Sequence, residues 1–192
     1  MRTTLLRTLF MFWIVTTSLS SFAQSLPDSV SLKVVIIRHG EKPDSGLNLS
    51  CKGYNRSLAL PNVIVSQFGV PTYIYVPNIR IGKSTNSVRM YQTIVPFVVK
   101  YGLVVNSRHA ETDSTAIAAD ILQKKGTVLI VWDSKNIPPL ARNLGVKKKN
   151  LQWIPDDFDT IWVIDYRKNK KGKLVAELTI AAEGLDPSSE CH

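Results

Sequence analysis

The chemistry in this sequence starts from "VVIIRHGEKP", residues 34–43, where a histidine stands between an arginine and a glycine at the end of a β-branched run. An imidazole is uncharged and basic near neutral pH, so His39 could act as a nucleophile or a proton carrier. Three further stretches hold comparable groups: Ser84, Ser87 and Arg89; Arg108, His109 and Glu111; and Asp133 with Ser134. Two or more arginines converging on one histidine would make a phosphoryl site, because guanidinium forks match phosphate oxygens with paired hydrogen bonds.

Each stretch follows an apolar run that could carry it. Val34 to Ile37 read as a strand buried on both faces, and Gly40 and Pro43 then break the extended chain, so His39 falls at a strand's carboxyl end. "LNLSCKGYNRSLALP" has helical character with Ser50 as N-cap, and Pro61 should kink or stop it. "PTYIYVP" reads as a second strand, and residues from about Ser84 to Lys100 as a helix with Met90, Ile94, Phe97 and Val98 on one face and Pro96 against it. "LVVNS" is a short third strand, "STAIAADILQKK" a helix, "GTVLIVWD" a buried fourth strand, and "IPPLARNLG" a helix with prolines in its first turn. "FDTIWVIDY" and "KLVAELTIA", separated by the basic run "YRKNKKGK", read as a closing hairpin. The expected class is therefore α/β: a mostly parallel sheet with helices on both faces and a C-terminal antiparallel hairpin. Ligands in such sheets bind at the carboxyl ends of the strands, where all four polar stretches fall.

The first residues do not join that globule. Arg2 and Arg7 flank the apolar "LFMFWIV", and small residues at Ser21 and Ala23 follow, which are the parts of a secretory signal peptide cut after Ala23. The apolar core is shorter than the roughly 20 residues a membrane span needs. The expectation is a leader over 1–23, a single domain over 24–192, and an exported protein, periplasmic or extracellular, with no stable membrane anchor after cleavage. Export would permit Cys51 and Cys191 to pair, although two independent thiols fit the sequence equally well.

Charge and motif spacing exclude several classes. Net charge is +9, and removing Arg2 and Arg7 with the leader leaves +7, concentrated in "KKKN" and "YRKNKKGK". Those runs suit solvated turns or attraction of an anionic partner; no helix or zinc module accompanies them to suggest nucleic acid binding. "IGKST" at 81–85 ends like a phosphate-binding loop, but Pro77 stands where that pattern needs glycine. Three histidines and two cysteines show no metal-ligand spacing, and no serine lies in a G-x-S-x-G elbow. No cofactor or metal is expected.

"RHGEKP", "LSCKGYNRSLALP", "SVRMYQTIVPF" and "VLIVWDSKNIPPLARNLG", in that order over residues 33–165, resemble the histidine phosphatase superfamily, the clan of phosphoglycerate mutases and histidine acid phosphatases. The likeness is greatest to small phosphatase-like proteins whose last motif reads W-E-H-x-x-I-P. The resemblance implies that His39 becomes phosphohistidine, that Arg38 and Arg89 clamp the phosphoryl oxygens, and that Glu41 orients the loop. The general acid would be Glu111 or Asp133, either of which must hold a proton at neutral pH. One departure stands out: the second histidine is missing, with Asp133 at the glutamate position and Ser134 at the histidine position. Losing a comparable donor costs on the order of 100- to 1000-fold in rate, though Ser134 keeps a neutral hydroxyl and His109 could swing into the place. The sequence therefore leaves two functions open. One is an exported phosphomonoester hydrolase of reduced activity acting on a small phosphorylated substrate; the other is a pseudophosphatase that holds a phosphorylated or anionic ligand without turnover.

Overall fold

The computed structural model describes residues 31–79 and 87–191. The expected leader, Ser84 with the rest of 80–86, and His192 lie outside them. In chain order the elements are β1 (Leu32–Arg38), α1 (Cys51–Phe68), β2 (Tyr73–Tyr75), α2 (Val88–Tyr101), β3 (Val105–Asn106), α3 (Ser114–Ile121), β4 (Gly126–Trp132), α4 (Ile137–Asn143), β5 (Thr160–Lys168) and β6 (Leu174–Ala182).

The strands form one sheet in the order β3-β2-β4-β1-β5-β6. The first four run parallel, β5 lies antiparallel to β1, and β6 is antiparallel to β5. β1 is central, which explains its unbroken β-branched run: a strand covered on both faces can be apolar at every position. Val34 and Ile36 pack toward Ile117 and Ile121 of α3, Leu140 of α4 and Leu144 just after it. Val35 and Ile37 pack toward Leu60, Ile64, Ile94 and Phe97 of α1 and α2. The expected α/β sheet with helices on both faces and a C-terminal hairpin is the observed fold.

Local expectations needed three corrections. Pro61 neither stops nor ends α1, which continues to Phe68 and closes at Gly69, where φ is 74°. Proline in a helix costs ~3 kcal/mol, while burying Leu60 and Ile64 returns ~1.5–3 kcal/mol each, so packing outweighs the lost backbone bond. α2 begins at Val88 rather than near Ser84, directly after Ser87 in the left-handed region at φ 61°. α3 ends at Ile121 instead of running on to Lys125, because Gly126 turns the chain into β4 at φ 96°.

Cys51 and Cys191 are joined by a disulfide with Cα atoms 4.9 Å apart, which settles the alternative left open by the sequence. It fastens the C-terminal segment onto the first turns of α1. Lys52 Nζ meets Asp186 at 3.1 Å, Asn55 Nδ2 donates to the carbonyls of Ser188 and Glu190, and Arg56 donates to the carbonyl of Leu185. The bridge spans 140 residues, so Cys191→Ser is expected to lower unfolding free energy by ~2–5 kcal/mol in a urea titration. A titration for free thiols under non-reducing denaturation should find none.

Candidate active site

The register of β1 on β4 creates the site. Arg38 is paired with Trp132, so the chain leaves the two adjacent strands at neighbouring points, and the His39 amide donates to the Trp132 carbonyl at 3.2 Å. His39 and Asp133 therefore face each other, with Nε2 3.9 Å from Asp133 Oδ2.

The loop after His39 is held by backbone contact with α1. A Cβ on Gly53 would lie 2.2 Å from the Glu41 carbonyl oxygen, and one on Gly40 would lie 2.8 Å from the Gly53 carbonyl oxygen. Only glycine fits at either place. Ser50 caps α1 by accepting from the Gly53 amide, and its own amide and hydroxyl both donate to the Glu41 carbonyl. Arg56, 3% exposed, then grips the Glu41 carboxylate with two bonds of 2.9 Å and reaches Glu183 at 2.6 Å.

α2 holds the same loop from the other side. Thr93, fully buried, accepts from the Gly40 amide at 2.9 Å and donates to the Arg89 carbonyl at 2.8 Å. Gln92 bonds the Leu49 amide and the Asn48 side chain, and Arg89 donates to the carbonyls of Gly46 and Asn48. The Q-T pair of the third motif and the arginine of the second thus fasten the loop; the sequence displayed them, but their task was not read. Glu183 carried no signal at all.

Between these elements lies a cavity of about 180 Å³ lined by His39, Ser87, Arg89, Glu111 and Asp133, with Leu47, Val88 and Met90. Ser87 donates to Glu111 Oε2 at 2.5 Å, and the Trp132 indole donates to the Glu111 carbonyl. Five candidate side chains are thus brought together. Arg38 stands beside the cavity wall, its guanidinium 3.9 Å from the Phe158 ring centroid and one nitrogen on the Asp157 carbonyl. Its Nε is buried with no partner among the described residues. Ser134 sits half-buried in the turn before α4 and does not line the cavity. His109 is turned to Asp120 at 3.4 Å, beside Tyr75, rather than toward His39. Arg108 is also absent from the cavity lining.

His39 is set up as a base with one bare nitrogen. Its Nδ1 lies 2.7 Å from the Gly40 carbonyl, which can only accept, so Nδ1 carries the proton and Nε2 is free. Burial and the charge of Arg38 outweigh that bond and hold the imidazole down at about 4, so it is uncharged at neutral pH. Burial also lowers Arg38 from its usual value. Burial pushes Glu183 up to about 8 despite its bond to Arg56, and the charges of Asp159 and Glu41 add in the same direction.

No family model matches the chain, and no curated protein matches it. Solved structures do. A mycobacterial glucosyl-3-phosphoglycerate phosphatase in complex with inorganic phosphate is 15% identical at TM-score 0.58, over 80% of this chain and 99% of that one. The protein histidine phosphatase SixA, complexed with tungstate, is 14% identical at TM-score 0.56, over 79% and 97%. A phosphoserine phosphatase from Entamoeba histolytica is 11% identical at TM-score 0.51, over 80% and 97%. These neighbours belong to the histidine phosphatase superfamily, and the chain has their fold.

Two opposite pH dependences follow. His39 is lowered from 6.5 to about 4. Between those values the unfolded chain takes a proton that the folded chain refuses, so stability falls as pH drops through that window, by ~3 kcal/mol. Urea unfolding at a series of pH values should show this slope, and His39→Ala should remove it. Glu183 is raised from 4.5 to about 8, so its contribution declines as pH rises across that range, and Glu183→Gln should flatten the decline.

Proposed function

We propose that the protein is a metal-independent phosphomonoester hydrolase that works through a phosphohistidine at His39. The observation that carries this reading is the uncharged imidazole whose Nδ1 is tied to the Gly40 carbonyl while Nε2 faces a polar cavity. In the first step the Nε2 lone pair attacks phosphorus and the ester P–O bond breaks, with Glu111 or Asp133 giving its proton to the departing oxygen. In the second, water attacks the phosphorus, the P–N bond breaks, and the same carboxylate recovers a proton as inorganic phosphate leaves. Arg89 in the cavity wall and Arg38 beside it supply the positive charge for the transferring group. The unpartnered Nε of Arg38 is a donor suited to a phosphate oxygen.

A second reading is favoured by one observation. A carboxylate lies 3.9 Å from Nε2, and among the described residues no second histidine lines the cavity, which suits a protein that binds a phosphorylated or anionic ligand without turning it over. Both readings share a small anionic ligand. Export is part of the proposal and is supported by the leader pattern over 1–23 and by a disulfide, which persists in oxidising compartments.

Turnover of an aryl phosphate in the presence of a metal chelator tests the hydrolase. Activity should vanish in His39→Ala, and quenched wild-type protein should carry an acid-labile, alkali-stable phosphoryl group. The acid limb of kcat/KM should fall near pH 4, where His39 takes its proton, rather than near 6.5. Whichever of Glu111→Gln and Asp133→Asn removes the acid should lose ~100-fold or more in kcat. Ser134→His should raise turnover ~10-fold or more by restoring a donor. Absence of turnover and adduct, with phosphate still raising the melting temperature, would establish the binding protein instead.

A further inference from the structure

We infer that Glu183 is a positioning residue for the reaction at His39, acting on it through Arg56 and Glu41; the inference rests on the proposed role of His39. Glu183 stands directly after β6, with β5 between that strand and β1, and its side chain is 1% exposed. It does not line the cavity, so any effect on the chemistry must travel through other residues.

The path can be followed bond by bond. The Glu183 amide donates to the Asp159 carbonyl at 2.7 Å, which fixes the backbone where β6 ends, and the carboxylate accepts from Arg56 Nη1 at 2.6 Å. A guanidinium is planar, so holding one corner sets the direction of the others. With Nη1 on Glu183, the opposite edge presents Nε and Nη2 to the two oxygens of Glu41, each at 2.9 Å. Among the described residues no other group holds Nη1. Asp159 lies 3.8 Å from it, beyond hydrogen-bond reach, and the Leu185 carbonyl accepts from Nη2 instead.

Glu41 passes this orientation to His39 through the backbone. Its amide nitrogen and the Gly40 carbonyl belong to one planar peptide, so a turn of Glu41 turns that carbonyl. The Gly40 carbonyl is the acceptor that keeps the proton on His39 Nδ1 and leaves Nε2 bare. Ser50 holds the Glu41 carbonyl, and Arg56 holds its side chain; with Arg56 unlocked, Glu41 is fixed at one end only. Stability alone does not account for the arrangement. Taking three ionisable groups out of water cancels most of what their attraction returns, so a buried network of this kind gains orientation more than stability.

Steady-state kinetics on an aryl phosphate, beside nitrogen-15 NMR of the His39 ring assigned with His39→Ala, test this on the full-length protein well below the melting temperature of every variant. Wild type should show one His39 tautomer, with the proton on Nδ1. Glu183→Ala should mix in the other tautomer and lower kcat ~10-fold or more, while KM changes less than ~3-fold because Arg38 and Arg89 are left in place. Arg56→Lys keeps the charge but loses the planar fork, and it is the second variant, expected to act in the same direction. Cys191→Ser lowers stability without touching Glu183 or Arg56, and should keep the wild-type kcat and ring spectrum. Wild-type kcat and ring spectrum in both Glu183→Ala and Arg56→Lys would overturn the inference. So would a loss of kcat in Cys191→Ser equal to that in Glu183→Ala, since the loss would then follow stability. A wild type that turns over no phosphomonoester would sink the hydrolase reading by itself, and the ring spectra would still decide the positioning: an unchanged tautomer in both variants overturns it.

Discussion

The approach of α1 to the loop after β1 is the constraint on which the site depends. With Gly53 set so that a side chain there would overlap the Glu41 carbonyl, the helix can begin only where Ser50 bonds that same carbonyl. The close contact holds the peptide of Gly40 in place, and the Gly40 carbonyl in turn selects the His39 tautomer. Thr93 fastens the preceding amide from the side of α2 and holds the Arg89 carbonyl with the same hydroxyl. One loop of backbone is thereby fixed by two helices from opposite ends. Precision of this kind is what the proposed role of His39 requires, since small misplacements of reacting groups carry large penalties in rate.

Electrostatics divides the molecule into two buried systems with different purposes. Around His39, burial beside two arginines keeps the imidazole uncharged, and two carboxylates in the cavity wall offset the arginines. Behind the loop, Arg56 is shared by Glu41 and Glu183, three ionisable groups in a space where a single unpaired charge is costly. Arg56 is held above its usual value because the bonds from Glu41 and Glu183 more than reverse the effect of burial. The end of β6, which supplies Glu183, is thus wired to the loop that carries His39, and the disulfide secures the segment that follows it.

The mixed sheet suits this division. Its parallel half, β3 to β1, opens all its loops at one end and collects the cavity there. Its antiparallel half, β5 and β6, returns Asp157, Phe158 and Asp159 to the same end, where they flank Arg38 and Arg56. These acidic and aromatic residues lie far along the chain from the motifs they support.

Much was legible in the sequence because it depends on local pattern. The double-faced apolar run of β1, the glycine and proline after it, the Ser50 cap and the alternation of strands with helices follow from side-chain periodicity and backbone sterics. They suffice for the α/β sheet and for bringing His39, Arg89, Glu111 and Asp133 to one end of it. Helix limits were misjudged at Pro61 and Ile121, where burial and a left-handed glycine decided against propensity. The folded chain alone decided that Asp133 and not Ser134 faces His39, that His109 belongs to Asp120, that Arg38 rests on Phe158, and that Cys51 reaches Cys191. Each of those outcomes is a contact between side chains whose directions depend on strand register and on packing between distant segments, quantities that residue types and spacing do not contain.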